Sequence, residues 1–370
     1  MFLERQQRLA HLMDQKNFEV LVLNAGASLT YFTGLHFHLS ERPVVFIFTP
    51  GMDPVLILPE LEGAKLSHVT YPLTSFVYSE NPRQWSNVFS QASQSVELAG
   101  KKIGIEPQQL RLLEYNYLSA AAEKASFSDA SGLIANLRGV KDNTEILHMK
   151  HAVGIAEKAL QDTLKRVIIG MTEQELANEL VVQLLKHGSQ PHLPFSPIVS
   201  SGPNGANPHA QPSERRLAVG DLLIIDWGAS WNGYASDLTR TFGIGKVDKK
   251  YKQIHQIVQR ANAAGRKAVR PGTTCRDIDN AARTIIEDAG YGSFFSHRTG
   301  HGIGMECHEE PYIRKDNQQV LQVGMTFTIE PGIYLPGENG VRIEDDVLVV
   351  KDGVESLSDF PREMHIIDEL

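Results

Sequence analysis

The stretch DWGASWNGYASD, residues 226–237, follows directly on the apolar run Leu222, Leu223, Ile224, Ile225. A strand that ends in one carboxylate and returns to a second eleven residues later poses a chemical question as well as a topological one. Asn232-Gly233 is a strong signal for a two-residue hairpin turn, because the tight mirror-image turn needs positive φ at both central positions. With that turn, Asp226 pairs opposite Thr239, and Asp237 lies two residues from Thr239 on the same face. The two acids become diagonal neighbours, with backbones roughly 7–8 Å apart and side chains able to converge. Two anions so placed repel unless a cation or a shared proton lies between them, and a metal ion is the economical answer. Solvent-facing hairpin acids are the commoner arrangement in general, so the expectation rests on what surrounds the pair.

Two further acidic strands surround it. In TFTIEPGIY, residues 326–334, Phe327 and Ile329 alternate with Thr326, Thr328 and Glu330, so Glu330 points away from the apolar face. In GVRIEDDVLVV, Arg342 and Glu344 share the face opposite Val341 and Ile343. The segments VGDLLIIDWG, 219–228, and VGMTFTIEPG, 323–332, also resemble one another: each opens with Val-Gly, ends with Ile and a carboxylate, and has a Gly two positions later. Helical patterns precede each, which predicts two similar helix-and-strand halves that each contribute an acid at the same place.

A histidine-rich element, HRTGHGIGMECH at 297–308, adds imidazoles. His297 and His301 have helical spacing, but Gly300, Gly302 and Gly304 argue for extended backbone and close approach. His209 lies in the turn-rich GPNGANPHAQP loop before the Asp226 strand. One imidazole with four carboxylates suits a paired site for Mn, Co, Zn or Fe, and such a pair performs hydrolysis.

The remaining chain sets the frame. A length of 370 residues with 42% apolar composition predicts two domains, since single cores rarely grow past roughly 250–300 residues. The first part alternates short apolar runs (Val20–Leu23, Val44–Phe48, Val55–Leu58, Ile103–Ile105) with helical stretches such as Leu110–Lys124, an α/β texture. The connection LRGVKDNTEILHMKHA then runs into a helix capped at Asp142 or Asn143, with Ile146, Met149, Val153, Ala156 and Leu160 at helical spacing. Thr172 and Glu175 form a capping-box pattern for a second helix, and further helices are expected over roughly 248–269 and 276–289. We therefore divide the chain into residues 1–138 and 139–370.

A net charge of -8 offers no footprint for nucleic acid or an anionic membrane. The cysteines, Cys275 and Cys307, are too few for a disulfide framework and fit a reducing compartment. MFLERQQRLAHLMDQK lacks the apolar core of a secretory signal, and no stretch approaches a membrane span, so a cytoplasmic location is expected. The terminal IDEL is similar to an ER-retention signal but lacks the accompanying signal peptide.

Taken in order, FSPIVSSGPNGANPHA, IIDWGASWNGYASDLTRTF, HRTGHGIGMECHEEP, TIEPGIY and GVRIEDD resemble the pita-bread metallopeptidases of the aminopeptidase P and Xaa-Pro dipeptidase (prolidase) type. SLTYFTGL and KKIGIE are similar to the creatinase-like domain that precedes the catalytic one in that family. The resemblance implies an α/β creatinase-like N-terminal domain, then an α+β pita-bread (creatinase/aminopeptidase) catalytic domain with a pseudo-twofold internal repeat. It implies Asp226, Asp237, His301, Glu330 and Glu344 as ligands of two divalent metal ions, with Mn the leading choice and with Asp237 and Glu344 as bridges. Glu330 would also accept a proton from the attacking water. His209 and His308 would contact substrate and the tetrahedral intermediate, His297 would be a further active-site histidine, and Arg342 would hold the acids in place.

The implied activity is hydrolysis of the bond before proline in Xaa-Pro peptides, by an aminopeptidase or a dipeptidase, with a homodimer as the expected assembly. Tyr31 and LHFHLSERP, 35–43, are candidates to reach a neighbouring subunit, with a plain surface position as the equal alternative for His36 and His38. Cys307 is expected to be a small core residue and not a nucleophile, Tyr334 to pack, with lining of the pocket as the alternative, and His192 to be structural or at the pocket rim. Metal-free creatinase-like hydrolases, non-catalytic peptide binders and metallo-aminopeptidases of other specificity are the alternatives. The intact ligand set and the absence of charged tails count against the first two.

Overall fold

Residues with branched apolar side chains dominate the first strands of the chain, and in the computed structural model, which describes residues 1–368, they form the buried centre of a six-stranded mixed sheet. Its strands are β1 (Val20–Asn24), β2 (Val45–Phe48), β3 (Val55–Pro59), β4 (Thr74–Tyr78), β5 (Lys102–Ile105) and β6 (Ser126–Asp129), in the order β4-β3-β2-β1-β5-β6. β1, β2 and β3 are buried along their whole length. Helices α1 (Phe2–Gln15), α2 (Ala27–Thr33), α3 (Pro82–Ser95), α4 (Leu112–Ala121) and α5 (Ser131–Gly139) complete this part. Trp85, Phe89 and Leu118 from α3 and α4 pack with Val20, Val22, Ile57 and Ile103 of the sheet. Glu369 and Leu370, the end of the IDEL tail, lie outside the described residues.

The described chain forms two compact units, Met1–Arg138 and Gly139–Leu370. The second opens with α6 (Asn143–Leu164), whose capping box joins Asp142 and Glu145, and α7 (Glu173–Lys186), whose capping box joins Thr172 and Glu175. Next come β7 (Ile198–Ser201), β8 (Leu222–Trp227), the hairpin β9 (Ser230–Trp231) and β10 (Tyr234–Ala235), and β11 (Leu238–Ile244). Asn232 and Gly233 turn this hairpin with φ of 49° and 79°, the mirror-image turn that the Asn-Gly pair favours. Asp226 pairs with Thr239, as the turn requires.

The pattern then repeats. Helices α8 (Lys249–Ala268) and α9 (Cys275–Asp288) precede β12 (Gly300–Gly302), β13 (Glu309–Ile313) and β14 (Thr326–Ile329). A second hairpin, β15 (Gly332–Leu335) and β16 (Asn339–Arg342), leads into β17 (Asp345–Val350), followed by β18 (Gly353–Ser356) and β19 (Ile366–Ile367). Like α7, α9 opens with a capping box, here Thr274 with Asp277. The main sheets are β19-β11-β8-β7 and β13-β12-β14-β17-β18. They meet where Thr239 of β11 bridges to Glu344, just before β17. α6 and α7 contribute Met149, Val153, Leu160, Leu176 and Leu180 to a core shared with Ile225 and Trp227. Ile278 of α9 packs with Phe327 and Ile329.

Candidate metal centre

The strands that carry the acids are buried on both faces: every residue of β8, β11 and β14 is enclosed. A polar face that is buried and not solvated must satisfy its groups internally or hold a ligand. Asp226 comes from β8, Asp237 stands just before β11, Glu330 just after β14 and Glu344 just before β17. Their ligand atoms converge in overlapping sets: Asp226, Asp237 and Glu344; His301, Glu330 and Glu344; and Asp237, His301 and His308, each set within 4.8 Å.

His301 is delivered by β12, and glycine makes this possible. A Cβ at Gly300 would lie 1.8 Å from the Thr328 carbonyl oxygen, and one at Gly302 would lie 2.2 Å from that of Glu310. Only glycine permits backbones that close. The His301 Nδ1 lies 3.1 Å from the Gly302 carbonyl. A carbonyl only accepts, so Nδ1 carries the proton and Nε2 presents its lone pair. That Nε2 is 3.4 Å from Glu330 Oε1 and 3.6 Å from Asp237 Oδ2. Burial, and then His308, hold the imidazole pKa well below its usual value, which keeps the ring neutral as a ligand must be.

The carboxylates are shifted the other way. Burial pushes Glu330 up to about 7. Burial also raises Asp226, despite the Arg342 guanidinium beside it. Asp237 and Glu344 are driven well above the carboxylate range, first by burial and then by Asp226 and Asp237 respectively. Four acids facing one another repel when ionised, and among the described residues Asp226 Oδ1 is buried without a hydrogen-bond partner. An orphaned acceptor in a cluster of hard oxygen donors plus one imidazole fits divalent first-row cations.

Arg342 braces this cluster. Its Nη2 donates to Asp226 Oδ2 at 2.6 Å and its Nε to Thr239 Oγ1 at 3.1 Å, while that hydroxyl donates to Glu344 Oε2 at 2.6 Å. Its Nη1 donates to the Tyr334 hydroxyl at 2.9 Å, and that hydroxyl lies 2.8 Å from His297 Nε2. The His297 Nδ1 is 2.7 Å from the Arg298 carbonyl, so Nδ1 is the protonated nitrogen and the Tyr334 O–H donates to Nε2. Burial, then Arg342, lower His297 to about 3, in keeping with a neutral ring. His308 is exposed and stands edge-on to His301, with ring centroids 4.1 Å apart. His209 is exposed on its loop, and the neighbouring Pro208 carbonyl accepts from Arg342 Nη1. His192 lines a cleft of about 620 Å³ with Val181, Phe195 and Gln211.

Two expectations are corrected. Tyr334 does not merely pack, because its hydroxyl links Arg342 to His297. Cys307 is not a core residue: it is partly exposed, and its thiol donates to Asp237 Oδ2 at 3.1 Å. Burial and then Asp237 push that thiol far up, which keeps it protonated.

Sequence reading missed Thr239, and it missed Asp346, whose fully buried carboxylate accepts from Asp237 N at 3.0 Å. LTRTF, 238–242, is polar at three consecutive positions and gives no alternation; a signal for Thr239 lay in its expected place opposite Asp226. Asp346 has no such signal, because it simply extends an acidic run. Arg240 was also missed. It donates to Asp345 and to the Glu344 carbonyl, fixing the backbone that carries Glu344. Burial opposes ionisation of Asp345, but Arg240 and Arg362 outweigh it and hold its pKa down to about 2.

Known proteins share both parts of this fold. The model of metallopeptidase family M24 matches residues 147–351, and that of the creatinase/prolidase N-terminal domain matches residues 5–140. The chain is 34% identical to an Xaa-Pro dipeptidase of Lactobacillus delbrueckii subsp. lactis, over 97% of this chain and 98% of that protein. A crystal structure of a dipeptidase from Pyrococcus horikoshii OT3 superposes with a TM-score of 0.91 at 38% identity, covering 98% of this chain and 99% of the other. An X-Pro aminopeptidase from Thermotoga maritima MSB8 superposes with a TM-score of 0.85 at 30% identity, covering 98% and 99%. With a creatinase-like N-terminal domain, a duplicated catalytic unit and this cluster of acids and histidine, the chain belongs to metallopeptidase family M24.

Proposed function

We propose that this metallopeptidase hydrolyses the peptide bond preceding proline in Xaa-Pro substrates, using two divalent ions held by Asp226, Asp237, His301, Glu330 and Glu344. The observation that carries the reading is the convergence of these five donors, with His301 Nε2 turned toward Glu330 and Asp237 and Asp226 Oδ1 left without a partner among the described residues. The names of the relatives support the proline specificity. Proline lacks an amide hydrogen and fixes φ, so peptidases that read the backbone N–H handle this bond poorly and a dedicated pocket has a use.

When bound, the ions supply Lewis acidity toward the scissile carbonyl and lower the pKa of water. The chain's own residues do the rest. Asp237 and Glu344, one from each half, would be the shared ligands of such a pair of ions. Glu330 accepts the proton of the attacking water at its carboxylate. His308 and His209 are exposed beside the cluster and donate hydrogen bonds to the oxygen on which charge develops. Arg342 fixes Asp226 directly, Glu344 through Thr239, and His297 through Tyr334.

The same reading takes manganese as the preferred ion, a homodimer as the assembly, the cytoplasm as the compartment, and residues 1–138 and 139–370 as the domains. Two free cysteines support a reducing compartment. No helix among the described residues is long and apolar enough to cross a membrane. The test is hydrolysis of Xaa-Pro dipeptides and Xaa-Pro-Xaa tripeptides by protein stripped with chelator and reloaded separately with Mn, Co and Zn. Cleavage restored by metal is expected. Metal binding without cleavage of either peptide would move the assignment to another specificity.

A further inference from the structure

Glu173, the first residue of α7, carries a fully buried carboxylate. It accepts five hydrogen bonds, all from the segment 201–213 that carries His209. Oε1 takes the Ser201 N–H at 2.6 Å and the Ser201 hydroxyl at 2.8 Å. Oε2 takes Asn204 Nδ2 at 2.7 Å, the Ser213 N–H at 3.1 Å and the Ser213 hydroxyl at 2.7 Å. One carboxylate thus ties both ends of the His209 loop, and the 3-10 helix Gly202–Ala206 within it, to the start of α7.

The surroundings favour a charge there. The start of a helix attracts an anion because its free N–H groups carry partial positive charge. Arg215, paired with Asp221 at 2.6 and 2.9 Å, donates to the Ser201 hydroxyl at 2.6 Å, so a cation lies one hydroxyl away. The α7 backbone adds two bonds to the outgoing chain, Glu173 N to the Arg215 carbonyl at 3.0 Å and Gln174 N to that of Ser213 at 3.1 Å. The far side of the loop is gripped by the second half of the catalytic unit. A Cβ at Gly340 of β16 would lie 1.9 Å from the Gly205 carbonyl oxygen, and the Pro208 carbonyl accepts from Arg342 Nη1 at 3.3 Å. His209 follows directly, and its charge is felt by Asp226, His297 and His308, with burial the larger influence on each.

We propose that Glu173 is a positioning residue that acts through His209, holding the loop where that imidazole reaches the acidic cluster. This rests on the reading that His209 donates to the oxygen on which charge develops. Without the carboxylate, the donors on Ser201, Asn204 and Ser213 lose their common acceptor and the loop shifts. A shift of about 1 Å in a group that acts as the transition state forms costs on the order of 100-fold, and the cost falls on kcat. The loop supplies none of the five metal donors, so metal content is independent of it.

Glu173→Gln keeps the shape, but its amide cannot serve all five donors. Whichever way it lies, its NH2 faces the Ser201 N–H or the N–H groups of Asn204 and Ser213. The test compares metal-loaded wild type, Glu173→Gln, His209→Ala and the double variant on Ala-Pro, with elemental analysis of bound metal and thermal melts. In Glu173→Gln, kcat should fall by about 10- to 100-fold, with metal content unchanged and KM within a few-fold of wild type. Added to His209→Ala, the same substitution should cost no further kcat. Losses that multiply in the double variant indicate a merely structural role and overturn the assignment. Asn204→Ala removes one of the five bonds and a 3.3 Å bond to the Gln211 carbonyl, and should show a smaller loss of the same kind. If Glu173→Gln fails to fold, the same comparison is made with Asn204→Ala. Amide hydrogen exchange judges the loop without turnover: faster exchange over 202–212 with β8 unchanged is expected in both variants, and unchanged exchange over 202–212 overturns the proposal. Absence of Xaa-Pro cleavage by wild type would instead sink the proposed reaction, while exchange would still judge Glu173.

Discussion

In the first half of the catalytic unit, Asp226 at the end of β8 and Asp237 before β11 flank the short β9–β10 hairpin; in the second, Glu330 after β14 and Glu344 before β17 flank the longer β15–β16 hairpin. Each half therefore presents strand, acid, hairpin, acid, strand, with two helices ahead of it. The halves differ in what else they bring. The longer hairpin carries Tyr334 and Arg342, which brace acids from both halves, whereas the β9–β10 hairpin turns through Asn232 and Gly233 and packs Tyr234 near α6. On the adjoining strand the difference is sharper. Ser200 of β7 pairs with Ile224 of β8, and one residue back from the Gly302–Phe327 pair His301 holds the matching place on β12. One half thus offers an imidazole where the other has a hydroxyl that is buried without a partner. Duplication accounts for the symmetric acids, and divergence on equivalent strands accounts for a proposed ligand set of one imidazole and four carboxylates.

If the halves contribute equally to one centre, removing an acid from either should be equally damaging. Asp226→Asn and Glu330→Gln are each expected to lower kcat/KM by on the order of a thousandfold or more, with bound metal per chain falling in parallel by elemental analysis. Retained activity in Asp226→Asn alone would break the comparison and leave a centre that belongs to the second half.

The halves should also differ in acid. α6 buries mainly apolar and small residues, whereas α8 buries His255, whose pKa burial lowers to about 4 from 6.5. The folded protein then takes up this proton near pH 4 and the unfolded chain near 6.5, so the unfolded state holds more protons between those values. Stability rises with pH across that window and is lost as pH falls through it, by on the order of 3 kcal/mol. Chemical denaturation of wild type and His255→Gln from pH 4 to 7 should show a smaller acid loss in the variant. Identical profiles would mean that the second half is no more acid-sensitive than the first.

A smaller effect tests the longer hairpin. Tyr334→Phe removes the hydroxyl between Arg342 and His297 and should lower kcat by about 10-fold, near 1.4 kcal/mol, with metal content unchanged. Loss of metal together with activity would show that the hairpin holds the ions and not only the histidine. At the short hairpin, Gly233→Ala places a side chain at φ 79°. The expected cost is about 1 kcal/mol, read as a slightly lower melting temperature with kcat/KM intact.

Much of the frame was legible because its determinants are local. Asn232-Gly233 dictates its own turn, and from the turn the Asp226–Thr239 pairing follows by strand geometry. The capping pairs Asp142–Glu145 and Thr172–Glu175 announce α6 and α7 within four residues. The glycines around His301 indicated close backbone approach, and the ordered motifs pointed to the family. Tyr334, Thr239, Asp346 and Arg240 were not legible. The use of a hydroxyl, a buried carboxylate or a guanidinium depends on which distant groups come within 3 Å of it, and no short-range pattern encodes that. Cys307 was misplaced for the same reason, since its partner Asp237 is 70 residues away.

By itself, then, the sequence determined the strands, turns and caps, the alternation that sets each acid on a polar face, and the duplication that supplies acids in pairs. Only the tertiary structure decided that those faces are buried against one another, that Arg342 reaches acids of both halves, and that Arg298 rests on the Tyr312 ring with no ion-pair partner among the described residues. The physical reason is one of range: turn and strand preferences act over a few residues, while charge and hydrogen bonding act through space between segments that only the packed core brings together.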